Sequence, residues 1–131
     1  MSIRSGLAYS DEKGSVMQDC IFCKIAAGEI PSTIVYEDDR VLAFEDLNPQ
    51  MPVHTLIIPK EHYANIGDGI SDELLGYVFN TVKKVAEIKG IADSGYRVIV
   101  NTGSDAQQSV HHLHVHVLGG APMNSGSPAL S

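Results

Sequence analysis

Apolar residues recur along this chain with two different periods, and the change of period divides it into elements. From Ser71 to Lys89 the period is helical. Leu75, Val78, Phe79, Val82, Val85 and Ala86 fall at i, i+3, i+4 spacing and make one apolar stripe. Ser71 can cap this helix, Asp72 and Glu73 suit its positive end, and Lys89-Gly90 suits its close. The stripe predicts one long helix with its apolar face in the core. Cys20–Ala27 places Ile21, Phe22, Ile25 and Ala26 in a short amphipathic turn stopped by Gly28 and Pro31, which predicts a small N-terminal helix. Thr33–Tyr36, Val41–Phe44, His54–Ile58, Tyr96–Val100 and His112–Leu118 are short, β-branched or alternating runs, and they predict five strands. Glu37-Asp38-Asp39-Arg40 joins the first two as a hairpin. Five strands with one long helix inserted predict an α+β domain on a mainly antiparallel sheet.

The flanks carry no such period. Residues 1–16 are expected to be a disordered tail, 17–122 the folded domain, and 123–131 an irregular C-terminal tail. Met17, three residues before Cys20, is an alternative start. Asn101–Gln108 is rich in Gly, Ser, Asp and Gln, a loop able to lend backbone N–H groups to an anion.

Composition narrows the function classes. With 131 residues, 44% hydrophobic and 19% charged, the chain is expected to be one globular domain. A net charge of −7 argues against binding nucleic acid through a basic footprint. No apolar run is long enough for a membrane helix, and no signal-peptide core stands at the N-terminus, so a cytoplasmic protein is expected.

Two clusters of reactive residues remain. Four of the six histidines lie in Gln108-Ser109-Val110-His111-His112-Leu113-His114-Val115-His116-Val117-Leu118. In an extended strand His112, His114 and His116 share one face, while Leu113, Val115 and Val117 supply a buried opposite face. Crowded imidazoles suit a metal, an anion, or proton and nucleophile chemistry. His111 points the other way and has no predicted role. Cys20 and Cys23 stand as Cys-x-x-Cys, which in a cytosolic chain means metal ligands or a redox pair. A redox pair normally follows a strand, and only a polar, Gly- and Ser-bearing stretch precedes this one.

The residues Gln108 to Gly120 resemble the signature of the histidine-triad (HIT) nucleotide-binding family. The likeness continues, in order, through Asp19-Cys20-Ile21-Phe22-Cys23-Lys24-Ile25, Glu29-Ile30-Pro31-Ser32, Tyr36-Glu37-Asp38-Asp39, Leu42-Ala43-Phe44, Asp46 and His54-Thr55-Leu56-Ile57-Ile58-Pro59-Lys60. It spans about Asp19 to Gly120 and is nearest to the phosphoramidase-type Hint branch.

That resemblance implies a HIT-like fold and a hydrolase that cleaves the P–N bond of purine nucleoside 5′-phosphoramidates through a nucleotidyl-histidine. His114 would be the nucleophile, oriented by the backbone carbonyl of His112; His116 would contact the phosphate, Ser109 the leaving amine, and His54 would complete the imidazole cluster. Asp46 would accept the ribose hydroxyls, Phe22, Ile30, Phe44 and Leu47 would line the base slot, and Asn101 would reach the phosphate or ribose. Gln107 stands in the phosphate loop where that branch usually has glycine. The resemblance also implies a structural zinc on Cys20, Cys23, His62 and His112, and a homodimer joined through the long helix and the fourth strand. The chain has no Trp, which that branch often carries in its C-terminal tail. Hydrolysis of dinucleoside polyphosphates, a catalytic zinc on the three triad histidines, and a nucleotide-binding scaffold are the alternatives.

Overall fold

The computed structural model describes residues 2–4 and 19–123. Its elements run β1 (Ser2–Arg4), α1 (Ile21–Ala26), β2 (Ser32–Glu37), β3 (Val41–Glu45), β4 (Val53–Pro59), α2 (Asp72–Ile88), β5 (Tyr96–Ile99) and β6 (Val115–Gly119). The strands form one sheet in the order β1-β2-β3-β4-β6-β5, with every neighbouring pair antiparallel. This is the expected α+β architecture with one addition. Ser2–Arg4, within the stretch that lacks periodicity, pair with Ser32–Ile34 and extend the sheet edge. Edge pairing rests on backbone hydrogen bonds and leaves no side-chain pattern to read. The rest of the expected N-terminal tail, and 124–131 of the C-terminal one, lie outside the described residues.

Side-chain alternation sends each strand to two different cores. Val41 and Ala43 of β3, Ile57 of β4, and Val115 and Val117 of β6 pack under α2, which contributes Val78, Val82, Val85 and Ala86. On the other face Leu42, Phe44, Leu56 and Ile58 pack with α1 through Phe22, Cys23, Ile25 and Ala26. The second face carries the reactive residues. Ser71 caps α2 by accepting the Leu74 N–H at 3.1 Å, a contact of about 1 kcal/mol. Asp38 fixes the β2–β3 turn, accepting from the N–H groups of Arg40 and Val41, and it ties that turn to α2 through the Tyr77 hydroxyl at 2.6 Å. Gly28 ends α1 at φ 80°, a conformation that costs other residues about 1–2 kcal/mol.

Two expectations need correction. Phe79 is not in the core: it is 39% exposed, and Leu74, outside the predicted stripe, is buried instead. The 3.6-residue period places Phe79 on the flank of the buried face. A sequence cannot separate a core position from an exposed apolar flank. The last strand begins at Val115, not at His112. Its ladder with β4 runs from Gly119 to Val115, opposite Val53 to Ile57. Beyond it the Pro59 carbonyl accepts from the ring of His112, and the Leu113 N–H turns to Tyr63.

Candidate functional site: a histidine cleft beside a Cys2His2 cluster

Because the chain leaves the ladder before Val115, the three triad rings do not act as one row. The rings of His114 and His116 line a cleft, while the ring of His112 lies among Cys20, Cys23 and His62. All three histidines are buried. His111 is exposed, although it lies before β6 and outside any strand.

The ring nitrogens can be assigned from their partners, since a carbonyl only accepts and an amide N–H only donates. His112 donates Nε2–H to the Pro59 carbonyl at 2.9 Å, which leaves its lone pair on Nδ1. That lone pair faces Cys20 Sγ at 3.3 Å, Cys23 Sγ at 3.4 Å and His62 Nδ1 at 3.2 Å. His62 Nδ1 lies 3.2 Å from Cys23 Sγ. Burial pushes the His112 imidazolium down to about 4, so the ring is a neutral ligand near neutral pH. Cys20 caps α1, its sulfur accepting the Cys23 N–H at 3.2 Å. Neither cysteine is in a disulfide. A tetrahedral ion with nitrogen and sulfur ligands at about 2.0–2.3 Å separates its ligand atoms by roughly 3.3–3.8 Å. The spacing and the donor set fit a zinc ion, and the predicted four ligands are the ones brought together. Among the described residues no such group unites His112, His114 and His116, which removes the basis for a catalytic zinc on the triad.

His114 donates Nδ1–H to the His112 carbonyl at 2.7 Å, so its lone pair is on Nε2. His54 accepts the Gln50 N–H on Nδ1 at 3.0 Å and therefore carries hydrogen on Nε2, 2.9 Å from His116 Nδ1. The hydrogen of His116 is then on Nε2. Burial lowers the proton affinity of His54, partly offset by the carboxylates of Asp46 and Glu45. Phe22 of α1 meets the ring of His114 edge-on at 5.0 Å and that of His112 at 6.2 Å. One short helix thus supplies two ligands to the cluster and a wall to the cleft.

The cleft has a volume of about 210 Å³. Phe22, Ile30, Phe44, Asp46, Leu47, His114 and His116, all predicted, line it. Leu47 stands at the rim, 91% exposed. Ile25, Pro31, Leu56 and Val110 also line it and were not predicted, because apolar residues in a strand or helix read simply as core. Five residues predicted for catalysis or nucleotide contact are outside this lining: His54 and His112, described above, and Ser109, Asn101 and Gln107. Ser109 borders an adjoining hollow with Asp19, His62 and His111, and Ile21 and Val110 form its common wall with the cleft. Asn101 Nδ2 is buried and has no hydrogen-bond partner among the described residues. Gln107 is exposed in the left-handed conformation at φ 63°, where glycine would be unstrained. The loop it closes is held by Gln108, whose side chain accepts from Gly103 N–H and donates to the carbonyls of Ala64 and Val110.

Similarity to known proteins agrees with this architecture. The family model described as HIT domain matches residues 27–123. A 14 kDa zinc-binding protein of Zea mays is 50% identical over 113 residues, covering 79% of this chain and 84% of that one. A histidine triad protein from Clostridium difficile superposes with a TM-score of 0.80 at 51% identity, covering 85% of this chain and 98% of that one. A HIT family hydrolase from Legionella pneumophila Philadelphia 1 gives 0.78 at 48% identity, covering 82% and 97%. The chain belongs to the HIT domain family. It has the fold of that family's hydrolases and a Cys20/Cys23/His62/His112 cluster suited to zinc. Among the described residues no helix is long and apolar enough to cross a membrane.

Proposed function

We propose that this protein hydrolyses purine nucleoside 5′-phosphoramidates to the nucleoside monophosphate and an amine, with His114 as the nucleophile. The observation that carries the reading is the His114 Nδ1–H bond to the His112 carbonyl, which puts the attacking lone pair on Nε2 inside a cleft with an apolar wall. Nε2 attacks the α-phosphorus, the P–N bond breaks, and the amine departs with a proton relayed from solvent through the Ser109 hydroxyl, which regains its own. Water then displaces the imidazole and completes hydrolysis. Splitting one displacement into two lowers each barrier. The positive charge that His114 gains is stabilised by the carbonyl on Nδ1, and His116 Nε2–H donates to the phosphate oxygens.

Asp46 accepts the ribose hydroxyls at the cleft mouth, and Phe22, Ile30, Phe44 and Leu47 enclose the base. Asn101, with its unpartnered Nδ2, donates to phosphate or ribose. Zinc at Cys20, Cys23, His62 and His112 would be structural, clamping the start of α1 to the segments that follow β4 and precede β6. Two buried, unbridged cysteines at ligand spacing fit a reducing, cytoplasmic setting. A homodimer through the long helix and the fourth predicted strand is supported by exposed apolar residues on both elements, Phe79 of α2 and Tyr96 and Val98 of the edge strand β5. Light scattering at micromolar concentration is expected to give twice the chain mass; a monomer would oppose the dimer.

The reaction is tested by AMP release from adenosine 5′-phosphoramidate, with and without a mild chelator, for the wild type and for His114→Ala. Release is expected to survive chelation and vanish in the variant. Activity retained by His114→Ala would overturn the nucleophile, and strict loss on chelation would point to metal catalysis.

A further inference from the structure

His54 is 4% exposed and is neither a zinc-type ligand nor the nucleophile, yet three polar groups converge on it. The Gln50 N–H occupies Nδ1, so Nε2 carries the hydrogen. That hydrogen faces His116 Nδ1 at 2.9 Å, and the charge of Asp46 Oδ2 lies beside it, 3.4 Å from Nε2. Asp46 is held in this posture from both ends. Its Oδ1 accepts the Asn48 N–H at 2.7 Å, and its own N–H donates to the His54 carbonyl at 3.0 Å. Asp46, His54 and His116 are close enough to hold a metal ion. A nitrogen–nitrogen distance of 2.9 Å is that of a hydrogen bond, and His54 Nε2, which carries the hydrogen, offers it to His116 rather than a lone pair to an ion. Burial disfavours the charged form of His54 and His114 repels it, whereas Asp46, and behind it Glu45, favour it.

We propose that Asp46 is a positioning residue for His116: with the Gln50 N–H on Nδ1, its charge 3.4 Å from His54 Nε2 favours the hydrogen on that nitrogen, which keeps His116 Nδ1 an acceptor and His116 Nε2 a donor toward the phosphate. This deepens the proposed hydrolysis and rests on it for the phosphate role of His116. The sugar-side carboxylate and the phosphate-side imidazole then form one unit, joined through His54. A carboxylate that only grips ribose would act on binding. One that also orients His116 acts on the chemical step, even when the substrate offers it no hydroxyl.

Two measurements test this. Imidazole 15N NMR of the intact protein needs no turnover. The wild type is expected to show His54 and His116 as Nε2–H tautomers, and Asp46→Asn is expected to move His116 toward a mixture of tautomers. An unchanged His116 spectrum would overturn the proposal. Kinetics on 2′,3′-dideoxyadenosine 5′-phosphoramidate then separate orientation from grip. Asp46→Asn is expected to lower kcat on this substrate about tenfold, the worth of one charge-assisted contact. In a His54→Gln background the same change is expected to add nothing. An unchanged kcat, or losses that multiply independently, would overturn the proposal. Absence of AMP release by the wild type from any phosphoramidate would instead defeat the reaction itself, with the NMR result still deciding the coupling.

Discussion

In the Cys20, Cys23, His62 and His112 cluster, four metal-ligand atoms turn inward on one another at about zinc spacing; in the cleft, the contacts of His54 with His116 and of His114 with His112 each pair a hydrogen with a lone pair. The same side chain is used in two ways on one face of one sheet. What separates them is the partner of the second ring nitrogen. The Pro59 carbonyl takes the hydrogen of His112 and aims its lone pair at sulfur. The His112 carbonyl takes the hydrogen of His114 and aims its lone pair into the cleft. The first cluster needs a cation to hold it together, and the second is satisfied by protons alone. His112 belongs to both, through its ring to one and its carbonyl to the other.

The comparison can be broken by variants that touch one side only. His114→Ala is expected to abolish turnover by about 10⁴-fold or more while metal content stays near one zinc per chain. A simultaneous loss of metal would mean the two clusters are one. Cys23→Ser is expected to lose the metal and to destabilise the fold by about 3 kcal/mol or more, read from metal analysis and denaturant midpoints. Retained zinc would displace Cys23 from the ligand set.

Acid should separate the two again. His112 resists protonation in the fold until about pH 4, while the unfolded chain takes up that proton near 6.5. Its neutral form therefore contributes fully above pH 6.5. The contribution is lost as pH falls from 6.5 to 4, by up to about 3 kcal/mol. Urea unfolding of chelator-treated protein at three pH values in that window should show the decline, and a flat profile would contradict the buried neutral ring. The smallest effect is expected outside both clusters. Gln107→Gly relieves the left-handed backbone and should raise stability by about 0.5 kcal/mol, seen as a slightly higher denaturant midpoint.

Much of this was readable from the chain. The helix over Asp72–Ile88, five of the six strands, and the Cys20/Cys23/His62/His112 set follow from periodicity and from motif resemblance. Phe79 was misplaced because period alone does not say whether an apolar flank meets core or solvent. Ile25, Leu56 and Val110 were missed as cleft walls because a wall and a core residue have the same chemistry. The role of Gln50 was invisible because it acts through its backbone N–H, which every residue but proline has.

The sequence by itself determined which residue types would meet: imidazoles and apolar residues alternating near the end, and a thiol pair on a short helix. Alternation is a local property of extended backbone, so it survives into any fold. The motif resemblance already implied that the triad divides, His112 to the thiols and His114 with His116 to the cleft; only the tertiary structure decided what divides it. That depends on where the β6 ladder stops and on the Pro59 carbonyl that meets the His112 ring. Pro59 is brought there by strand register across the sheet, which no local pattern encodes, whereas the His112 carbonyl that orients His114 is a local contact two residues away.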